Sequence, residues 1–237
     1  MKADSLLYGR NAVREALRGR RRVRRVWGLE RELVALDDAE APVQVVSREE
    51  LDRLAGSSDH QGLVAEVEGY PYADANALLA PEDAFVLALD QVQDPQNFGA
   101  ICRSAECAGA TGVVVPSRGA ALVTGAVSRA SAGAVEHLAV ARVTNLANYL
   151  RDAKQAGAWV YGAEAGAERL YTQPDYSGRL VFVLGSEGKG LRPRVRDSCD
   201  ALVSLPVRGR IASLNVSAAA AALLYEVVRQ RAGAPAG

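Results

Sequence analysis

Three segments of this 237-residue chain bring together residue types that could do chemistry. The first is 90–99, DQVQDPQNFG, leading into a predicted helix whose Arg103 lies four residues past Gly99, one turn in. Polar side chains where helix N–H groups converge suit a phosphate or ribose; an Asn/Pro turn followed by a surface arginine accounts for the same residues. The second is 184–190, LGSEGKG, directly after the hydrophobic run 180–184. Its glycines permit close approach of the backbone to a ligand and positive φ. Lys189 is followed by Gly rather than Ser/Thr, and the order is G-x-x-G-x-G, so neither a Walker A loop nor a dinucleotide fingerprint is present. Glu187 among those glycines would repel a pyrophosphate but suit a hydroxyl or a cation such as a sulfonium. The third is 205–217, LPVRGRIASLNVS, where Ser213 is a candidate N-cap. A plain capped helix explains Ser213 and the alanines 218–222; it does not explain Asn215 at the mouth of the same sheet.

The elements that must position these loops form two groups. In the first seventy residues, 11–17 and 48–54 read as short helices, the second capped by Ser47, and 23–29, 43–46 and 63–67 as strands. A small α/β unit over 1–70 follows, with a linker over 71–83 containing an alanine-rich, partly helical stretch. From residue 84 the strands become continuous hydrophobic runs: 85–89, 113–115, 159–163, 180–184 and 202–205. Such runs are expected of parallel strands covered on both faces. Helical segments 100–110, 146–156 and 214–231 lie among them, so 84–237 reads as an open α/β sheet with ligand sites at its strands' carboxyl ends.

With 49% hydrophobic and 24% charged residues, the chain has material for a buried core. No segment resembles a secretory signal or a run long enough to span a membrane, so a cytoplasmic protein with no membrane partner is expected. Cys102, Cys107 and Cys199 are odd in number and form no C-x-x-C pair, as free thiols in a reducing compartment would be. His60 and His137 match no metal-ligand pattern, so no metal is expected.

The formal charge is zero, from 28 basic and 28 acidic residues, but the zero is a sum of opposed blocks. Residues 1–25 hold nine bases against two acids, 26–70 three against eleven, and 71–237 sixteen against fifteen. Six arginines (Arg18, Arg20, Arg21, Arg22, Arg24, Arg25) fall within eight residues. A solvated surface, or a leaning of the whole chain toward arginine, accounts for such a run; phosphate binding is the functional alternative.

Together and in this order, NFGAICR (97–103), LGSEGKG (184–190) and LPVRGRIASLNVS (205–217) resemble the motifs of the TrmH/SpoU branch of the SPOUT RNA methyltransferases. The resemblance spans 84–237. The amino-terminal segment, LLYGRNAVREAL onward, is similar to the small ribosomal-protein-like substrate-binding domain of the subgroup that methylates a guanosine ribose in 23S rRNA. It implies a parallel sheet with a deep trefoil knot, a homodimer, and transfer of methyl from S-adenosylmethionine to a ribose 2′-hydroxyl. It further implies that Gly185, Leu205 and Leu214 contact the cofactor, with Ile211 and Ser213 close by. Arg103 becomes the central catalytic residue, with Asn97, Glu187, Ser213 and Asn215 shaping the site. An arginine is a poor base because its pKa exceeds about 12, so a role in gripping a flanking phosphate and stabilising the oxyanion fits better. With RNA as partner, Arg10, Arg18, Arg20, Arg21, Arg22, Arg24 and Arg25 become candidate RNA contacts, and a second basic cluster (Lys189, Arg192, Arg194, Arg196, Arg208, Arg210) would draw in the target nucleotide.

Three rival readings remain at this point: a methyltransferase of tRNA or another rRNA nucleotide, a non-catalytic RNA-binding protein on the same fold, and a nicotinamide oxidoreductase. The last lacks its glycine fingerprint, and intact Asn97, Arg103, Glu187 and Asn215 count against the second.

Overall fold

The computed structural model describes residues 5–36 and 40–232. Its elements run β1 (Leu6–Tyr8), α1 (Arg10–Arg18), β2 (Val23–Gly28), α2 (Glu30–Leu33), β3 (Val43–Val45), α3 (Arg48–Ala55) and β4 (Leu63–Val67). There follow β5 (Phe85–Asp90), α4 (Pro95–Cys107), β6 (Gly112–Pro116), α5 (Gly125–Ala130), β7 (Val140–Val143) and α6 (Leu146–Gln155). The chain ends with β8 (Trp159–Ala163), β9 (Leu180–Gly185), α7 (Pro193–Arg196), β10 (Ala201–Val203) and α8 (Val216–Ala232).

Two compact units form, each discontinuous in sequence: Met1–Pro71 with Leu122–His137, and Tyr72–Ala121 with Leu138–Gly237. This differs from the expected division in two places. Residues 71–83, read as a linker, belong from Tyr72 onward to the second unit, where Leu78 and Leu79 are buried in the core. Residues 122–137 group with the amino-terminal unit, where glycines allow tight packing. A Cβ on Gly125 would meet the Leu6 carbonyl at 2.5 Å, and one on Gly19 would meet Glu136 Cβ at 2.7 Å.

The first unit is a four-stranded sheet in the order β1-β4-β2-β3, antiparallel except for the β2/β3 pair. One apolar cluster contains Leu7, Val13, Ala16, Val26 and Leu63, and a second contains Trp27, Leu51 and Val64. The alternation of strand 63–67 divides these side chains between two clusters, as a sheet buried on both faces requires.

The second unit is a six-stranded, wholly parallel sheet in the order β10-β8-β9-β5-β6-β7. Val86, Ala88, Val160, Val181 and Val183 bury one face against α6 and α7 residues such as Leu146, Leu150 and Val195. Phe85, Leu87 and Leu89 point to the other face and are also buried, while α4 and α8 pack on each other. The chain leaves β5 in one direction through β6 and β7. It returns on the other side, with β9 inserted between β5 and β8.

Two helix starts differ from expectation. α4 begins at Pro95, because Asp94 Oδ2 accepts from the Asn97 N–H at 2.9 Å and proline suits the first turn. Asn97 is therefore helical rather than part of a loop. α8 begins at Val216, and its cap is Asn215, not Ser213: Asn215 Oδ1 accepts from the N–H groups of Ser217 (2.9 Å) and Ala218 (3.3 Å).

Candidate active site

The carboxyl ends of β8, β9 and β10 line one cavity of about 460 Å3, on the side of β5 where the strand order reverses. An open parallel sheet offers its ligand site at such a switch point. Gly185, Leu205, Ser213 and Leu214, all expected at the cofactor, line it. Ile211, expected nearby, does not: it is 77% exposed on a stretch without strand partners, and Val207 and Ala212 supply the apolar wall instead. Ala163, Glu164 and Ala165 also line the cavity, a contribution the motif reading missed. Run 159–163 was legible as a strand, and the strand-end rule applied to it would have found them.

The glycine loop folds back on itself: Ser186 and Gly190 form a bridge, with Gly190 N–H donating to the Ser186 carbonyl at 3.0 Å. A Cβ on Gly185 would come within 2.2 Å of the Gly190 carbonyl carbon, so the loop itself excludes a side chain there. At its tip, Glu187 meets groups from two other segments. Glu187 Oε1 accepts from Asn215 Nδ2 at 2.5 Å, from the Val216 N–H at 3.2 Å and from Asn97 Nδ2 at 3.3 Å. Asn215 Nδ2 donates as well to Asn97 Oδ1 at 2.9 Å. The three side chains named at the three motifs thus form one hydrogen-bonded cluster.

Arg103 is not part of that cluster. It lies further along α4, exposed, and carries no hydrogen bond or ion pair among the described residues. Exposed cations Lys189, Arg194, Arg208 and Arg210 also lack an acidic partner there, whereas Arg196 is paired with Glu164 at 2.7 Å and Arg192 with Asp90 at 2.6 Å.

Thiol and imidazole chemistry have no place at this cavity. Burial pushes the Cys102 thiol far above its ordinary value and that of Cys199 up to about 12. His60 is buried in the other unit, where its Nδ1 accepts from the Gly62 N–H at 2.9 Å, and His137 contacts Glu15 at 2.8 Å.

The arginine run divides. Arg21 is corrected as an RNA contact: its side chain is wholly buried, its Nε donates to Glu136 Oε2 at 2.8 Å and its Nη2 to Ser128 Oγ at 2.8 Å. It is a core ion pair, and phosphate cannot reach it. Arg10 is largely engaged by the carboxylate of Glu32, at 2.7 and 2.8 Å. Arg18 and Arg24 make only long contacts of 3.4 Å, to Glu15 and Glu68, while Arg20 and Arg22 are exposed without an acidic partner among the described residues. A register shift between Val23 and Arg25 leaves Arg24 and Arg25 exposed in succession, as a bulge does. Arg25 lies over the Trp27 ring at 5.7 Å.

The cavity suits a largely apolar ligand bearing positive charge near its two acids. Its walls are apolar (Leu184, Val203, Leu205, Leu214), and its charged groups are the acids Glu164 and Glu187 and the single cation Lys189. Its volume is in the range of small-molecule sites.

Comparison with known proteins gives a consistent set of matches. Residues 84–225 match the model of the SpoU rRNA Methylase family, and residues 6–73 match that of RNA 2′-O ribose methyltransferase substrate binding. The chain is 41% identical over 238 residues to YacO of Bacillus subtilis, placed by its name in the TrmH family of tRNA/rRNA methyltransferases, covering 95% of each chain. It is 39% identical over 244 residues to the 23S rRNA (guanosine-2′-O-)-methyltransferase RlmB of Shewanella oneidensis, covering 98% of this chain and 99% of that one. Among solved structures it superposes on the SpoU methyltransferase AviRb of Streptomyces viridochromogenes, determined in complex with the cofactor AdoMet. That match has a TM-score of 0.83 at 27% identity and covers 96% and 90% of the two chains.

Proposed function

The chain belongs to the SpoU rRNA methylase family, and on that premise we propose that it transfers methyl from S-adenosylmethionine to a ribose 2′-hydroxyl of RNA, a guanosine of 23S rRNA. The observation that carries this reading is the convergence of Asn97, Glu187 and Asn215 beside an apolar-walled cavity at the strands' carboxyl ends. The 39% identity to RlmB along nearly the whole chain favours the guanosine of large-subunit RNA.

In this reading Gly185, Leu205, Ser213 and Leu214 hold the cofactor, which when bound supplies an electrophilic methyl group. The protein must then favour an oxyanion on the ribose and accept its proton. Glu187 Oε1 is occupied by three donors from the protein, whereas Oε2 has no partner among the described residues. Oε2 is the acceptor left for the hydroxyl proton, because geometry decides which group can serve as a base. Arg103, permanently charged, stabilises the oxyanion and grips a flanking phosphate. Arg20, Arg22, Arg24 and Arg25 of the first unit hold RNA through its backbone, where recognition of structured RNA concentrates.

The active form in this reading is a homodimer with the trefoil knot of the family. Helix α8 supports the dimer: it is apolar through most of its circumference and leaves Ala218 and a 53%-exposed Tyr225 uncovered. A calorimetric titration with S-adenosylmethionine, followed by labelled methyl transfer to unmethylated 23S rRNA and nucleoside digestion, tests the proposal. The expected product is 2′-O-methylguanosine. No cofactor binding would overturn the reading, and a methylated tRNA or another nucleoside would redirect its substrate.

A further inference from the structure

Asp90 is the last residue of β5, fully buried, and stands in register with Gly185, the last residue of β9. None of the chemistry derived above uses it. Its carboxylate takes three contacts from one residue: the Arg192 N–H at 2.8 Å, Nε at 2.7 Å and Nη2 at 2.6 Å. The Arg192 side chain is 45% exposed, yet two of its nitrogens turn inward to this buried acid. An ionised carboxylate without such a partner would be costly at that depth.

The place of the pair in the chain gives it a function. Seven residues after Asp90 comes Asn97; five residues before Arg192 comes Glu187. The first arm opens with Gln91 at φ +63°, a left-handed conformation that a non-glycine residue rarely adopts and that surrounding structure must enforce. It closes on the Asp94 cap of α4. The second arm closes through the Ser186–Gly190 bridge. Asp90 therefore lies at the root of one arm and, through Arg192, clamps the root of the other. The tips of the two arms meet where Asn97 Nδ2 donates to Glu187 at 3.3 Å.

We propose that Asp90 and Arg192 are a positioning pair that sets the approach of Asn97 to Glu187 and with it the wall of the cofactor cavity. Breaking the pair frees the roots of both arms without substituting any residue that lines the cavity. The inference rests on the methyltransferase reading, and the wild-type protein provides the control that separates them: if wild type neither binds S-adenosylmethionine nor transfers methyl, that reading fails first.

Given an active wild type, Asp90→Asn, Arg192→Gln and Arg192→Lys are compared for S-adenosylmethionine Kd, kcat, KM for RNA and thermal midpoint. Asp90→Asn and Arg192→Gln are expected to weaken cofactor binding about tenfold or more, the scale of a lost hydrogen bond to a charged group. In Asp90→Asn the RNA KM should stay near wild type, and Arg192→Lys should recover part of the loss of Arg192→Gln. The Glu187→Gln background gives the second readout: the effect of Arg192→Gln should shrink there, because the pair acts through Glu187. Unchanged cofactor affinity in Arg192→Gln, or an equal loss with and without Glu187, overturns the proposal. Arg192→Gln leaves the buried Asp90 carboxylate without its partner, so Asp90→Asn, which removes that charge, keeps the test decisive if Arg192→Gln does not fold.

Discussion

Asn215 holds Glu187 at 2.5 Å through its amide nitrogen while its amide oxygen caps α8 at the N–H groups of Ser217 and Ala218. The two ends of one amide are thereby fixed. The oxygen must face the helix N–H groups, so the nitrogen must face the carboxylate, and a flipped amide would lose both interactions. A residue that looks like an ordinary helix cap also sets where a negative charge stands at the cavity.

Asn215→Asp separates these two roles. Aspartate caps a helix as well as asparagine does, and its charge suits a helix N-terminus, so the thermal midpoint should change little. It replaces the donor that Glu187 needs with a second negative charge. Methyl transfer should fall by roughly 100-fold or more, the scale of about 3 kcal/mol for a lost bond to an ion. Activity and melting curves on the same preparation check it; a matching fall in both would show that only folding was affected.

Arg103→Ala addresses the other half of the site. Arg103 touches neither the cluster nor the cavity lining, so the S-adenosylmethionine Kd should remain within about threefold of wild type. Its proposed work lies at the oxyanion, where removal of one stabilising group costs about 10²–10³ in kcat. Calorimetry beside single-turnover transfer measures the two separately. A large loss of cofactor affinity would refute the role assigned to Arg103.

Much of this site could be read in the sequence because its parts are short motifs at strand ends. Five of the six parallel strands were legible as unbroken apolar runs, and β4 and β8 fall where the alternation and run length put them, at Leu63–Val67 and Trp159–Ala163. What escaped the reading was set by contacts distant in sequence. β1 has three residues and β7 four, too short to show a period. Ser213 and Asn215 are both good caps on composition, and the residue whose oxygen meets the α8 N–H groups is Asn215, which Glu187, 28 residues away, holds through its nitrogen. Arg21 looks like every other member of its run; Glu136, 115 residues away, makes it a core residue.

Acid should act on the first unit through Glu32. The Arg10 guanidinium fork holds its carboxyl below the ordinary value, Arg31 and Arg14 assist, and burial opposes them. A carboxyl lowered in the folded state contributes stability at neutral pH. That contribution begins to fade near the unfolded pKa, about 4.3, and is lost as pH falls through the lower folded value. Urea midpoints measured between pH 7 and pH 3 should therefore decline for wild type, and Glu32→Gln should lower the neutral value and flatten part of the decline.

Arg21 and Arg22 are adjacent and should behave in opposite ways. Removing Arg21 leaves Glu136 as a buried charge without its partner, at a cost of about 3–5 kcal/mol. Arg21→Met should therefore lower the urea midpoint sharply, and Arg21→Met with Glu136→Leu should recover part of the loss, because the orphaned charge is gone. Arg22 is exposed with no acidic partner among the described residues, so Arg22→Ala should leave stability within about 0.5 kcal/mol. The order reverses for RNA. Each phosphate contact contributes roughly 0.7–0.9 to the slope of log affinity against log salt, so combining Arg20→Ala, Arg22→Ala and Arg25→Ala should reduce the measured slope by about two. Loss of RNA affinity without a change in slope would mean that these arginines do not meet phosphate, even though the bulge at Arg24 leaves Arg24 and Arg25 exposed side by side.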